Sequence, residues 1–234
     1  MNKPDWIFDE TKSVGVDYFD ENLADQYDRE HEKFRNFDDE AAKIAGVLDL
    51  SKESVLLDIG CGTGGLTTRF AKICNRVYAV DSSPAMLNIL KNKIEKQNFT
   101  NISLVQAGLL SYEHAGDRLD AIVANICLHH LPDFWKQIVL IKLNSVLKPG
   151  GKLFLCDVVF DFNPREYVNT INEWIIGMRT TAGNRMSDET IMHVKNEFST
   201  WGWIISGMLE KANFHIDNNL EITKNVRAYV CEKY

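Results

Sequence analysis

Four glycines, Gly60, Gly62, Gly64 and Gly65, fall within six residues of the stretch "LLDIGCGTGG", behind an apolar run and an aspartate, Asp58. Glycine is costly inside regular structure, so the cluster marks a backbone that turns sharply or that something approaches closely. Gly60, Gly62 and Gly65 fit G-x-G-x-x-G, and Gly64 tightens the pattern. Between a strand and a helix, such a loop lets a ligand rest on main-chain atoms. The next acidic residue at the end of an apolar run is Asp81, in "VYAVDSS". A carboxylate there accepts hydrogen bonds from both hydroxyls of a ribose. Loop and carboxylate together predict a site for a nucleoside-containing cofactor.

Two cofactor classes compete for it. A nicotinamide dinucleotide places its pyrophosphate at the helix N-terminus, where the charge of Asp58 is unhelpful. S-adenosylmethionine has no phosphate and carries a sulfonium and an ammonium, which a carboxylate beside the loop suits better. Two further groups invite chemistry. His129 and His130 are adjacent, and on a regular strand or helix neighbours point apart, so one ion held by both is not expected. His129, just beyond a strand end, is the candidate general base, against the alternative of a histidine that orders its loop. Cys127 reads as a small buried side chain.

These groups must be carried by an alternating scaffold. "SVLLDI", "RVYAV", "ISLVQA", "LDAIVAN" and "KLFLCDVV" read as five buried strands. Between them, "GLTTRFAKIC", "SSPAMLNILKNKIEKQ" and "DFWKQIVLIKLNSVL" have helical spacing. Ser83 is the expected cap of the second, with Pro84 at its first position, and Asp133 the expected cap of the third. "KPGG" reads as a turn, 160–212 as a strandless helical insert, and 213–234 as two final strands. Strand and helix in alternation argue for an α/β, Rossmann-like doubly wound sheet, mostly parallel and seven-stranded, with a C-terminal antiparallel hairpin strand. Ahead of it, residues 1–49 read as a charged helical cover in which Phe37, Ala41, Ile44, Ala45 and Leu48 face a core.

With 234 residues the chain suits one domain, in which 50–159 form the cofactor-binding core and 160–212 a lid. The net charge of −7 marks no general nucleic-acid binder. Five cysteines without C-x-x-C spacing, no apolar leader and no long apolar run predict a cytoplasmic protein with reduced thiols and no membrane span.

In this order and at these intervals, "VLLDIGCGTGGLTTRFA", "VYAVDSSPAML", "LDAIVANICLHHLPD" and "LKPGGKLFLCDV" resemble the class I S-adenosylmethionine-dependent methyltransferase family. The resemblance is strong over 49–159 and weaker outside. It implies S-adenosylmethionine as methyl donor, with Asp58 and the backbone of Gly60, Gly62 and Gly64 under its methionine part. Asp81 then holds the ribose, Ser82 and Met86 flank the adenine, and Asn125 lends backbone contact near the ammonium. Tyr27 and His31 close over the cofactor, and Trp174, Met178, Trp201 and Trp203 are candidates for the acceptor pocket. One departure stands out. Where relatives carry an aspartate that contacts the adenine amino group, this chain has Gly108 and Leu109, leaving the backbone of Leu109 for that edge. The acceptor implied is a small molecule, with no nucleic-acid partner, in a monomer or homodimer. An RNA or protein methyltransferase, a nicotinamide dehydrogenase and a non-catalytic cofactor-binding protein are the other readings.

Overall fold

The computed structural model describes residues 4–12 and 14–234. At its centre β1 (Val55–Ile59) lies parallel to β2 (Arg76–Asp81) on one side and to β4 (Leu119–Asn125) on the other. Next to β2 runs β3 (Ile102–Gln106), and next to β4 runs β5 (Leu147–Phe160), both parallel. The antiparallel hairpin of β7 (Phe214–Thr223) and β8 (Val226–Lys233) extends the sheet beyond β5. The order is therefore β3-β2-β1-β4-β5-β8-β7. Succession along the chain reverses between β1 and β4, and ligands of open α/β sheets bind at the carboxyl ends of the strands flanking such a switch point.

The strands separate two cores by their period of two. Leu57, Ile59, Ile122 and Leu153 face one, with Leu140 and Leu143 of α5 (Asp133–Val146) and Leu209 of α8 (Gly202–Lys211). Leu56, Val77, Val123 and Phe154 face the other, with Phe37, Ala41 and Ile44 of α2 (Phe37–Val47) and Phe70 of α3 (Thr67–Phe70). The apolar stripe read in the N-terminal part is thus α2. The charged stretch before it is not one helix. It is α1 (Glu21–His31), then a break closed by Asn36, whose side chain accepts from Asp38 N and Asp39 N. Ser83 caps α4 (Pro84–Gln97), as its sequence predicts, by accepting from Met86 N at 3.2 Å.

Four local expectations need correction. The helix after the glycines is a single turn, Thr67–Phe70, followed by a turn rather than a helix to Cys74. Pro132 is the N-cap of α5, and Asp133 instead binds Lys136 Nζ and Thr200 Oγ1 at 2.8 and 3.0 Å. "KPGG" lies inside β5, where the register jumps from Leu119↔Leu147 to Ala121↔Lys152. The insert holds α6 (Tyr167–Ala182), α7 (Asn184–Asn196) and also a strand, β6 (Thr200–Trp201), parallel to Val159 and Phe160 of β5. That two-residue strand is too short to show a period.

Candidate active site

At the switch point the chain leaves β1 through Gly60, whose N–H donates to Val80 O at 2.8 Å. Gly62 follows at φ +54°, and its missing Cβ would point into open space. Asp81 ends β2 beside it. One carboxylate oxygen accepts from Gly62 N and the other from Ser83 N, each at 2.8 Å. Burial raises the Asp81 pKa, and the backbone donors of Ser83, Gly62 and Ser82 work against that rise. Gly60, Gly62, Asp81, Ser82, Met86 and Leu109 all line one cavity of about 150 Å³.

A strap of irregular chain covers this cavity, together with Tyr27 and His31 of α1. Phe8, Glu10, Lys12, Val14, Val16 and Tyr18 of the strap reach it. Tyr27 and His31 stack with ring centroids 3.7 Å apart, and burial lowers His31 to a pKa of about 4. Glu10 is a residue that the sequence pattern did not single out. Its carboxylate accepts from Leu110 N and Ser111 N, both at 2.8 Å, and crowds Gly108 so closely that a Cβ there would collide with it. A carboxylate from about a hundred residues earlier thus stands beside the loop after β3. Glu113 is turned to Lys142 at 2.8 Å.

Three predicted residues stand elsewhere. Asp58 is buried behind the loop, accepts from Thr67 Oγ1 at 2.6 Å and does not border the cavity; burial pushes its pKa up to about 7. Gly64, at φ +77°, is required by contact with Leu90 and not by the cavity. Asn125 lines a second, larger cavity, where its Nδ2 donates to Glu40 Oε1 at 3.0 Å and its Oδ1 is buried without a partner.

That second cavity, about 890 Å³, lies among α2, α6, α7 and the β7–β8 hairpin and is walled by Phe34, Phe154, Trp174, Met178, Met186 and Ile222. Trp174 and Met178 therefore face it. Trp201 packs on Phe160 and Phe162 instead, and Trp203 is 73% exposed. The two cavities share Val16, Tyr18, His31, Ile126 and His129. Ile126 sits at φ +55°. A β-branched residue is strained there, and such strain gathers at functional sites.

The turn after Ile126 carries both histidines into one place. On the 3₁₀ turn Leu128–His130 their ring centroids are 4.2 Å apart, so the expectation that neighbours diverge fails because this backbone is neither strand nor α-helix. His129 Nδ1 is 2.5 Å from Asp157 Oδ1, and His129 N–H donates to Asp157 Oδ2 at 3.0 Å. Nε2 lies 3.3 Å from Glu197 Oε2. Burial alone lowers the His129 pKa, but Asp157, through charge and hydrogen bond, and Glu197 hold it above the ordinary imidazole value. Burial, helped by the His129 charge, takes His130 down to about 3. Cys127, against Gly60, is buried, and that burial foremost raises its thiol pKa well above normal.

The profile of the methyltransferase domain matches residues 56–151, from β1 to the glycines of β5. An uncharacterized methyltransferase of Bacillus mycoides is 27% identical over 161 residues, 69% of each chain. Another, of Bacillus thuringiensis, is 32% identical over 105 residues, 45% of this chain and 47% of that one. Residues 56–151 thus match a methyltransferase domain, and over 69% of its length the chain is similar to a methyltransferase. Solved structures agree on the fold. The magnesium protoporphyrin IX methyltransferase of Synechocystis, solved with bound SAH, superposes at a TM-score of 0.66 with 18% identity, over 93% of this chain and 97% of that one. A SAM-dependent methyltransferase of Aquifex aeolicus gives 0.65 with 16% identity, over 92% and 99%. The chain has no helix among the described residues that is long and apolar enough to cross a membrane.

Proposed function

We propose that this chain is an S-adenosylmethionine-dependent methyltransferase that binds S-adenosylmethionine in the smaller cavity and methylates a bulky, largely apolar small molecule held in the larger one. One observation carries the reading: the two cavities meet at Tyr18, His31, Ile126 and His129. When bound, S-adenosylmethionine supplies a sulfonium-activated methyl group. Its ribose suits Asp81, its adenine suits the apolar sides of Met86 and Leu109 beside Ser82, and the Gly60–Gly62 backbone passes beneath it. Glu10 supplies the carboxylate at the adenine edge. Asn125, at the end of β4, faces the acceptor's cavity, and Asp58 and Gly64 fix the loop rather than touch the cofactor.

Ligand pockets span roughly 300–1,000 Å³. The larger cavity, about 890 Å³, falls within that range, and the smaller, about 150 Å³, falls below it. The strap and Tyr27 must therefore shift to admit the cofactor, and their return shuts water out of the junction. An acceptor presented from the opposite side favours in-line displacement, for which positioning alone supplies several kcal/mol. His129 is the residue that serves the acceptor's nucleophile where this is a hydroxyl or an acidic carbon. The five free cysteines suit a reducing compartment, and we place the enzyme in the cytoplasm as a monomer or homodimer.

Calorimetry with S-adenosylmethionine and its demethylated product tests the first half. Both should bind, and Asp81→Ala should abolish binding in a folded protein. If neither binds the folded wild type, the reading falls. Release of the demethylated product with a panel of apolar phenols and acids then tests the second. Activity confined to RNA or protein acceptors would overturn the small-molecule assignment.

A further inference from the structure

Behind the junction, histidines and carboxylates converge from three elements that are distant in the chain. The 3₁₀ turn brings His129 and His130, the end of β5 brings Asp157, and the segment after α7 brings Glu197, with His193 on α7 itself. The last segment is pinned in place: Phe198 N–H donates to His129 O at 2.8 Å, and Thr200 Oγ1 to Asp133 at 3.0 Å. One ligand atom from each of His129, His130 and Glu197 lies within 4.8 Å of the other two. The side chains of His129 and Glu197 are 5% and 3% exposed. Glu197 Oε2 is buried without a hydrogen-bond partner, although His129 Nε2 and His193 Nδ1 both lie beside it.

We infer that His129, His130 and Glu197 bind a divalent transition-metal ion at the meeting point of the two cavities. Three observations converge on it. Two imidazoles and one carboxylate form the donor set of catalytic zinc and of non-haem iron sites that keep positions open. Ligands about 2.0–2.1 Å from a tetrahedral zinc are about 3.3–3.4 Å apart, and His129 Nε2 and Glu197 Oε2 are 3.3 Å apart. The widest edge of the trio closes with a movement of about 1–2 Å in one ring. Finally, the outer shell is already built. A metal-binding histidine almost always gives its other ring N–H to a carboxylate or carbonyl, as His129 Nδ1 does with Asp157. His193 Nδ1 stands against the same Glu197 oxygen as a neighbouring charge, with Ser199 Oγ 2.7 Å from its other nitrogen.

The inference rests on the junction being the transfer point and deepens it. His129 serves the acceptor through an ion at Nε2, and the open positions, facing cavities that His129 borders, take an oxygen or nitrogen donor of the acceptor. A nucleophile bound there is held in place and more acidic.

The test uses the full chain after dialysis against a chelator, titrated with Co²⁺ and then Zn²⁺. One equivalent of Co²⁺ should bind with a visible d–d spectrum and be displaced by Zn²⁺. Glu197→Gln and His130→Asn should lose binding by at least about 10-fold, and Asp157→Asn should weaken it by about 10–100-fold. X-ray absorption on the zinc-loaded wild type needs no variant and must show nitrogen and oxygen neighbours. Sulfur in the first shell, or no uptake of either ion at millimolar concentration by the folded protein, overturns the site. Binding of the demethylated cofactor product, measured on the same sample, reports separately on the methyltransferase reading.

Discussion

Glu10 shows how a residue that lines the candidate cofactor cavity escapes a pattern that is otherwise legible. The motifs of residues 56–151 place Asp81, Ser82, Met86 and Leu109 around one cavity because each sits at a fixed offset from a strand end. Glu10 has no such offset. It reaches the loop after β3 through tertiary folding of the strap, and in the chain it is one acid among many. The crowding of Gly108 by its carboxylate is the trace it leaves, and that trace reads from the sequence only as a missing aspartate. If Glu10 reads the adenine edge, Glu10→Ala should weaken the demethylated product by about 10–100-fold, the range of a hydrogen bond to a charged group. It should also erase discrimination against the analogue with a 6-oxo group in place of the 6-amino group. Calorimetry with both nucleosides checks this. Equal weakening of the two would reduce Glu10 to a cap on Leu110 N and Ser111 N. The convergence of His129 and His130 is hidden for the opposite reason. Adjacent residues were expected to diverge by the rule for regular elements, and a 3₁₀ turn suspends that rule.

Whole elements were legible where they are periodic and buried. The five parallel strands and α4 follow from apolar runs and the Ser83–Pro84 start, since burial on both faces leaves few alternatives. Irregular elements were not. The strap has no period, the β5 bulge looks like a turn, and β6 is fixed by pairing with β5 alone. The cover, read from sequence as helix, is half strap, and its fastening is specific. Asp28 of α1 accepts from Thr63 Oγ1 of the glycine loop and pairs with Lys93 Nζ of α4, each at 2.5 Å. A lid tied to the loop it covers slows exit more than entry, because the ties form after the ligand has entered. Asp28→Ala should therefore raise the dissociation rate of the demethylated product by about 10-fold, the equivalent of roughly 1–2 kcal/mol of lost charged contacts, with little change in association. Stopped-flow fluorescence of the tyrosines over the cavity would read both rates. A change confined to association would mean that the ties act on the open form instead.

At the scale of the whole molecule, the loop's aspartate couples folding to pH. Asp58 is 3% exposed, has Thr67 Oγ1 as its hydrogen-bond partner, and carries a pKa of about 7, raised first by burial. In the unfolded chain an aspartate titrates near 3.9. The folded state thus holds a proton that the unfolded state gives up. Stability from this group is full below about pH 4, falls as pH rises towards 7 and is flat above, a loss on the order of 4 kcal/mol. His31 works in the other direction. Its folded pKa of about 4 lies below the ordinary imidazole value, so its contribution is lost as pH falls from about 6.5 to 4. The two slopes oppose each other below pH 6.5, and a wild-type profile alone would hide both. The difference between wild type and Asp58→Asn removes the His31 slope, since that residue is present in both. Urea unfolding of the pair from pH 5 to pH 8 should show wild type losing about 2–3 kcal/mol relative to the variant, most of it before pH 7. Parallel profiles would mean that Asp58 stays charged in the fold. In that case the loop, not the cavity, would hold a buried anion beneath the place proposed for a sulfonium and an ammonium, and Asp58 would return as a long-range electrostatic partner of the cofactor.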